Sequence, residues 1–456
     1  MTLFSLAFWG FLVVYGVVLW LMSPKTHDEG SFFRGSDASG KSVNVWLLTT
    51  SIFISWIFAK SITNAANLGA KYGIVGGIAY ASYWLCIPVA GFVLYRLRTK
   101  FNATSLVGFL NSNYGKMASL CFSIAILIRL FNEVWSNTSV VGGYYGESGS
   151  ANFITAALLF TFATLLYSLK GGLRGSIITD VIQAFIFVIG VGFVLMIVLP
   201  KYEFAKIVGS GNWSFAGGVD LLLVALLQIL SYPFHDPVLT DRGFLCSPKR
   251  MLVSFVIAGI TGFLAIVIFS FIGVYANLEG ISSSNIPASV ATTFGFTALF
   301  LMNIVMICAA GSTLDSAFAS LSKLVAYDWL RIFTPQATSK AVTIGMISMV
   351  VMAVVGNFPM FAGTDILKAT TISGTMVIGL APIFLLHGVV KVNKISFYLS
   401  FFFGLFCGFI EAFKVLPKFL YIGDGAYAGL LGVNVYGLIG CFVLYILGAK
   451  LANLHK

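Results

Sequence analysis

The sequence has very little charge for its length. Only 9% of its 456 residues are charged, 59% are hydrophobic, and the mean hydropathy is +0.96. Soluble domains carry roughly 25% charged residues, so this composition excludes a water-soluble globular protein and a disordered chain. One bilayer crossing needs about 20 apolar residues, which leaves length for a dozen or more crossings. The composition therefore predicts an integral membrane protein embedded in a lipid bilayer.

The sequence also lacks the patterns of a disulfide framework, a zinc centre or a catalytic cluster. Its six cysteines form no CxxC pair and lie almost entirely in apolar runs, and its four histidines are widely separated. Isolated cysteines in such runs are typical of core positions. With no H-E-x-x-H motif and no nucleophile elbow, we do not expect an enzyme. The N-terminal apolar run has no basic start and no small-residue cleavage site, so we expect it to be retained.

The few charges present are mostly basic, with 27 Lys and Arg against 16 Asp and Glu and a net charge of +11. They are too scattered for a basic groove, so we expect no nucleic-acid partner. Basic residues collect in the cytoplasmic loops of membrane proteins. If the N-terminus is outside, 18 basic residues, Arg242 among them, fall in or next to inside loops and five in outside loops. The sequence therefore predicts an external N-terminus and a cytoplasmic C-terminus, in a plasma membrane of the bacterial inner-membrane type.

Thirteen apolar spans follow one another along the chain. We expect all of them to be helical, because lipid cannot satisfy the open edge of a sheet. The predicted spans lie near 2–23, 44–70, 73–96, 116–143, 151–169, 174–199, 218–245, 250–276, 297–330, 339–356, 363–388, 395–414 and 428–449.

Two of these spans carry interruptions. The second has a stretch of polar and small residues at 61–69, and the seventh has prolines at 233 and 237, which an undisturbed helix does not accommodate. The interruptions lie five spans apart. Broken helices at matching positions of two halves indicate a transporter built from inverted repeats, in which freed carbonyls and half-helix ends bind ions and solute. The alternative is a pair of kinked helices in an ordinary bundle.

Asp180 lies one to two turns into the sixth span, after the sequence Gly171-Gly172-Leu173-Arg174-Gly175. A carboxylate at that depth costs a few kcal/mol, so it needs a cation, a proton or a basic partner. We favour a cation or proton site over a structural hydrogen bond near the helix end.

The ninth span places hydroxyl groups on one helix face. At 100° per residue, this face of roughly 100° holds Ala309, Ser312, Thr313, Ser316 and Ser320, and Asp315 borders it. Oxygen ligands of this kind suit a hard cation. The alternative is close packing between helices, whose interfaces small and hydroxylated residues also line.

The fourth span holds Arg129 and Glu133, spaced i,i+4, with Asn132 beside them. Opposite charges at that spacing meet on one helix face, so the first interpretation is a buried ion pair. The second is that the guanidinium of Arg129 binds a solute carboxylate in a two-pronged contact. We expect Lys60, in the second span, to reach the membrane interface along its own stem.

These residues resemble the sodium:solute symporter family over nearly the whole chain. Ala65-Ala66-Asn67-Leu68 resembles the first core helix of the family, and the segment 171–183 is similar to its Gly-Gly-x-x-x-x-x-x-Thr-Asp-x-x-Gln pattern in core helix 5. Ala309-x-x-Ser312-Thr313 resembles the motif of core helix 8. The segment 79–82, and Asn132 followed by glycines at 142 and 143, are similar to the urea-transporting branch.

The resemblance implies an all-α polytopic membrane protein of about thirteen transmembrane helices, with the LeuT-type inverted repeat of five plus five helices and broken first helices. The whole chain would form one transport domain. Its parts would be a peripheral first helix and loop at 1–43, repeat one at 44–199, repeat two at 218–388, and peripheral C-terminal helices at 395–456.

The resemblance also implies sodium as the coupling ion. The shared sodium site of the family would use backbone carbonyls of Ala65, Leu68 and Ala309 and hydroxyls of Ser312 and Thr313. A second sodium site, present in some members, maps to Asp180, Ser312 and Ser316. The chain departs from the family at Asp315, where a small polar residue is more familiar. Two carboxylates near one cation would raise its affinity or share a proton, so the number and kind of ions stay open.

The sequence thus predicts a symporter that couples sodium entry to uptake of a small polar organic solute by alternating access, acting as a monomer. An amino or organic acid and a neutral solute such as urea remain open. The alternatives are a proton-coupled or uncoupled carrier on the same fold and, of another class, a membrane solute sensor or receptor. Tyr232 or Phe234 could serve as a gate. The candidate solute-binding residues, which lie between the broken helices, are Asn64, Asn67, Arg129, Asn132, Gln228, Tyr232, Phe234, Thr370, Thr371 and Ser373.

Overall fold

A computed structural model describes residues 3–26, 28–37, 39–334, 340–362, 366–391 and 393–454. Within these ranges every long regular element is a helix. The first ten are α1 (Leu3–Met22), α2 (Glu29–Arg34), α3 (Val45–Trp56), α4 (Ala59–Tyr72), α5 (Ile74–Ala81), α6 (Cys86–Lys100), α7 (Leu106–Tyr114), α8 (Lys116–Gly142), α9 (Ala151–Val198) and α10 (Phe204–Val208). The rest are α11 (Asp220–Gln228), α12 (Pro237–Thr240), α13 (Pro248–Leu278), α14 (Ile286–Thr293), α15 (Phe296–Lys323), α16 (Leu330–Phe333), α17 (Ala341–Val355), α18 (Ile366–Met376), α19 (Leu380–Leu385), α20 (Lys394–Phe413) and α21 (Ala428–Leu454).

The all-helical membrane architecture is as predicted. In the described residues nine helical segments are long and apolar enough to cross a bilayer, and the pair α3 and α4 makes a tenth if its two halves count as one span. The 48-residue helix α9 covers two predicted spans. The seventh and eleventh spans are each divided into short helices. The number thirteen therefore stays a prediction, because no single helix in these divided spans is long enough to cross a bilayer.

Helix α9 turns sharply at Gly172, which divides it between the fifth and sixth predicted spans. Its backbone has φ +51°, and a Cβ atom there would lie 2.6 Å from the carbonyl oxygen of Phe32. Only glycine adopts this conformation at little cost and leaves room for the neighbouring backbone. The glycine pair recognised in the sequence therefore marks the junction of two spans.

The first broken span bends by 58° between α3 and α4. The break lies at Ile57 and Phe58, and the stretch 61–69 is regular helix inside α4. The predicted position of this break is therefore wrong. At the break the amide of Ala59 donates to Asn137 Oδ1 across 3.1 Å. Because that amide is the helical partner of the Ser55 carbonyl in an unbroken helix, the Ser55 carbonyl is free to face the neighbouring helix.

The second broken span is interrupted where the sequence predicts. Helix α11 ends at Gln228, a single 3-10 turn covers Tyr232–His235, and α12 begins at Pro237. Asp236 caps α12 by accepting a hydrogen bond from the amide of Val238 at 3.0 Å. The two prolines supply the interruption, since each removes a backbone donor.

The two broken spans lie against the long helices α8, α9, α13 and α15. Helix α4 approaches α13 so closely that a Cβ on Gly273 would lie 1.8 Å from the carbonyl oxygen of Ala66. Such backbone contact is typical of membrane helices that associate through small residues. Helix α15 packs along α9, and the polar residues of both helices face each other at this contact.

Candidate ion and solute sites

Oxygen atoms from the first broken span and from α15 converge at the break. The hydroxyl of Thr313 donates to the carbonyl of Ser55 at 3.4 Å and to the carbonyl of Ala309 at 3.1 Å. The hydroxyl of Ser312 lies 3.4 Å from that of Ser55. All four residues are buried. A carbonyl freed by the break and a set of α15 oxygens therefore share one small volume, which we call the break site.

The distances in the break site suit a shared cation. Oxygens at right angles around a hard cation, each about 2.4 Å from it, lie about 3.4 Å apart. The Thr313 hydroxyl lies 3.1 Å from the Ala309 carbonyl and 3.4 Å from the Ser55 carbonyl, and the hydroxyls of Ser312 and Ser55 are 3.4 Å apart, all close to that value. Three of the five predicted ligands of the shared sodium site (Ala309, Ser312 and Thr313) therefore lie together beside Ser55.

The other two predicted ligands, Ala65 and Leu68, lie elsewhere. Both are inside the regular helix α4, more than two turns beyond the break at Ile57. The carbonyl that the break frees beside α15 is that of Ser55, which lies at the end of α3.

Asp180 lies beside the break site at the contact of α9 with α3 and α15. Its carboxylate accepts hydrogen bonds from Ser51 and Ser312 at 2.5 Å each, and from Ser55 at 3.1 Å. Three hydroxyls from two helices, α3 and α15, thus converge on one buried carboxylate of α9. The prediction that Asp180 and the ninth-span hydroxyls share a site agrees with this geometry, and Ser312 belongs to both this group and the break site.

A basic side chain also enters the group, and the sequence did not predict it. Arg242, which the loop count placed on the cytoplasmic surface, is completely buried. Its Nη2 lies 3.2 Å from Asp180 Oδ2, and it donates to Ser316 at 2.7 Å and Ser55 at 2.9 Å. A guanidinium nitrogen therefore makes contacts with Asp180 and Ser316 that the second sodium ion was predicted to make.

Asp315 points to another side of the same group. It accepts hydrogen bonds from Ser176 at 2.6 Å, from Tyr167 at 2.9 Å and from Thr179 at 3.1 Å. All of these donors belong to α9. The carboxylate of Asp315, which departs from the family pattern, is thus surrounded by hydroxyl donors. One of these donors, the Ser176 hydroxyl, also lies 3.4 Å from Arg242 Nη2.

A second group of buried charges lies near the break of both broken spans. Arg129 pairs with Glu133 on α8, as the i,i+4 spacing predicts, and it also binds Asp236 at 2.8 Å. Lys60 binds Glu133 at 2.6 Å and is 1% exposed, so the prediction that it reaches the membrane interface is wrong. Two cations face two anions in this Arg129 network, which leaves it with no net charge.

Two of the ten predicted solute residues, Asn132 and Ser373, line the same cavity. A space of about 540 Å³ between α8 and α18 is bordered by Asn132, Trp135 and Ser373. Neither polar atom of the buried Asn132 amide has a hydrogen-bond partner among the residues that the structure describes. Buried amides are normally satisfied, so this side chain is available to a bound molecule. Ser373 also contacts His235 Nε2 at 3.2 Å.

The other predicted solute residues are engaged in the fold. Asn67 lies at the far end of α4 and bonds the loop at Ser284, away from both breaks. Gln228 is bound to Tyr83, Thr375 and Asn434. The remaining contacts are Asn64 with Tyr80, Tyr232 with the Arg129 guanidinium, Phe234 with Phe384, and Thr370 and Thr371 with carbonyls of their own helix.

Comparison with known proteins supports the resemblance found in the motifs. Residues 38–210 match the family model described as the sodium:solute symporter family. The predicted relationship to the sodium:solute symporter family is confirmed. The match includes the first broken span and Asp180, and the second broken span and α15 lie outside it.

A solved structure has a similar fold over almost the whole chain. The structure titled as a substrate-bound outward-open state of a Na+-coupled sialic acid symporter superposes with a TM-score of 0.74 at 15% identity. It covers 99% of this chain and 98% of that one. The all-helical transporter fold therefore extends to the regions that the family model leaves unmatched.

Two curated relatives carry transporter names. The urea active transporter of Saccharomyces cerevisiae is 23% identical over 257 residues, which are 49% of this chain and 34% of that protein. The sodium/glucose cotransporter 1 of Oryctolagus cuniculus is 25% identical over 202 residues, which are 44% of this chain and 29% of that protein. The chain thus spans about a third of the length of these relatives, which are transporters and not enzymes.

Proposed function

We propose that this chain is a secondary active symporter that couples the inward movement of sodium to uptake of a small polar organic solute. It would act as a monomer in a plasma membrane of the bacterial inner-membrane type, with the N-terminus outside and the C-terminus in the cytoplasm. The observation that carries the proposal is the break site, where the Thr313 hydroxyl contacts both the freed carbonyl of Ser55 and the carbonyl of Ala309, and the Ser312 hydroxyl lies beside that of Ser55.

The position of the break site explains how an ion could drive the fold. Its oxygens come from two bodies, the first broken span and α15. A cation that needs both sets of oxygens binds best in the state that holds them together. A solute that prefers the same state is then bound more tightly when the ion is present, and the effect is reciprocal. Coupling therefore needs only this shared preference and no covalent chemistry.

The charges of the interior favour a neutral solute. The guanidinium of Arg129 is engaged by Glu133 and Asp236, and Lys60 is engaged by Glu133. A solute carboxylate that binds Arg129 or Lys60 would have to displace one of these buried anions, which is costly. The free amide of Asn132 supplies both a donor and an acceptor beside the cavity. This pair suits a neutral amide- or urea-like group and leaves the Arg129 network intact.

Uptake into proteoliposomes tests the sodium dependence. We expect uptake of a bound solute to require an inward sodium gradient. Thr313→Ala removes one hydroxyl ligand, worth about 1–1.5 kcal/mol, and should raise the sodium concentration for half-maximal uptake about tenfold. The matched control is Thr297→Ala, which removes an exposed hydroxyl from the same helix.

Three results decide between the proposed coupling and its rivals. Uptake that is unchanged without sodium and follows a proton gradient indicates a proton-coupled carrier, and uptake indifferent to both gradients indicates an uncoupled one. If Thr313→Ala and Thr297→Ala have the same sodium dependence, the break site does not bind the coupling ion.

A screen of solutes by thermal shift in sodium tests the solute class. A ligand that binds only the folded state stabilises it, and the stabilisation grows with the logarithm of the ligand concentration over its dissociation constant. We expect neutral amides or urea-like compounds to stabilise the chain, and Asn132→Ala to remove the shift. Stabilisation by carboxylates alone would contradict the neutral class.

A further inference from the structure

The surroundings of Asp180 are a pocket of oxygen atoms with a guanidinium inside it. Besides the carboxylate, the pocket holds the hydroxyls of Ser51, Ser55, Ser176 and Ser316. A carboxylate with several hydroxyls is the ligand chemistry of a hard cation. The cation present is Arg242, whose Nη2 lies within 3.4 Å of oxygens of Asp180, Ser55, Ser176 and Ser316.

The guanidinium is held there from every side. Its Nε donates to Ser51 at 2.8 Å, and its Nη1 donates to the carbonyl of Val238 at 2.7 Å. The side chain is completely buried. Every nitrogen of the Arg242 guanidinium therefore has a buried acceptor.

The charges explain why one cation is enough for Asp180. The guanidinium directly contacts this carboxylate, and through Ser176 and Ser316 it also reaches Asp315. A second cation at Asp180 would lie within a few ångströms of the guanidinium. Like charges at that distance in a buried site repel strongly, so a sodium ion and the guanidinium exclude each other.

We propose that Arg242 is a tethered cation that occupies the Asp180 pocket and excludes a sodium ion from it. The wild-type chain then binds one sodium ion, at the break site, and removal of the Arg242 charge opens a second sodium site. The count of one ion rests on the proposed function, whereas the gain of one ion on removal of the charge does not.

The test is equilibrium binding of radioactive sodium to the purified full chain in detergent, measured as ions bound per chain at saturation. We expect one ion for the wild type, one for Arg242→Lys, which keeps the charge, and two for Arg242→Gln. The double variant Arg242→Gln with Asp180→Asn removes both charges and should return the count to one. This return separates a new ion site from a general loosening of the structure, because both variants lack the guanidinium contacts.

Each result decides the proposal, and the proposed function is decided separately. Two ions in the wild type overturn the inference while sodium coupling stands. None in the wild type and one in Arg242→Gln supports the inference and overturns sodium coupling. If the wild type and Arg242→Gln bind the same number of sodium ions per chain, whatever that number is, the inference is overturned. If Arg242→Gln does not fold, the wild-type and Arg242→Lys counts still decide it, because two ions in either contradict exclusion by a charge at that position.

Discussion

Removal of one charge from the Arg129 network should destabilise the chain, and removal of a matching pair should restore much of the loss. The contact between Lys60 and Glu133 is 2.6 Å long, and both side chains are buried. At an effective dielectric constant of about 20, two unit charges at that distance attract by about 6 kcal/mol. Glu133 keeps its contact with Arg129 when Lys60 is lost, so we expect Lys60→Met to cost about 3 kcal/mol, at the low end for a broken buried pair.

The double variant is the decisive measurement. Lys60→Met with Glu133→Gln leaves Arg129 paired with Asp236, and the network is again neutral. We expect the double variant to be less destabilised than the sum of the single ones by about 2–3 kcal/mol, which is the range of strongly coupled neighbours. The measurement is unfolding in mixed micelles of native detergent and sodium dodecyl sulfate, for the four proteins of the cycle.

The chain offers a control pair outside the membrane spans. Lys201 and Glu279 are 3.4 Å apart with side chains 51% and 33% exposed. Solvent screening makes such a pair contribute little, so the corresponding cycle should show no resolvable coupling. If the Lys60 and Glu133 effects are additive, or if the exposed pair couples equally, the interior charges are not a paired network and the argument for a neutral solute fails with it.

Three further predictions follow from local geometry. Gly172→Ala forces a left-handed conformation and a clash, and should lower the unfolding free energy by at least about 1–2 kcal/mol, whereas Gly192→Ala in the same helix meets open space and should not. Asn137→Leu leaves the buried amide at the first break without an acceptor, and should cost about 1–3 kcal/mol in the same unfolding assay. Hydrogen bonds from Tyr202 and Lys201 lower the pKa of Glu279. The contribution of these hydrogen bonds to local stability is therefore complete above the ordinary pKa of a glutamate and is lost as the pH falls through the lower pKa of Glu279 in the folded state. Protection of the amides at 201–202 from hydrogen exchange should thus fall in acid in the wild type and not in Glu279→Gln.

The two breaks show what the sequence can reveal about broken helices. The second break carries prolines at 233 and 237, and it lies where the sequence predicts because proline interrupts a helix through its own geometry. The first break, at Ile57 and Phe58, contains no proline or glycine. It depends on Asn137, which lies 78 residues after Ala59 and accepts a hydrogen bond from the Ala59 amide. Such a tertiary contact is not visible in the sequence, and the prediction followed the polar stretch at 61–69, a few residues beyond the break.

The charged residues divide in the same way. The pair Arg129 and Glu133 was predictable because its spacing alone places the side chains together. Lys60 and Arg242 were placed at the membrane surface, since an isolated basic residue at a span end usually extends there. Their partners, Glu133 and Asp180, are distant in sequence. The signal that remained was the unpaired carboxylate of Asp180 inside an apolar span, which required a cation without identifying it.

The short segment between Asp236 and Arg242 connects these charge groups mechanically. Asp236 binds Arg129 on α8, Asp241 binds Lys323 at the end of α15 at 2.8 Å, and Arg242 binds Asp180 on α9. Three charges within seven residues thus attach the second broken span to three different helices. A movement of this span has to carry the partners along or separate buried ion pairs, and separation is costly. We therefore infer that any movement of this span changes the Arg129 network and the Asp180 pocket together, because the short segment 236–242 holds a member of each.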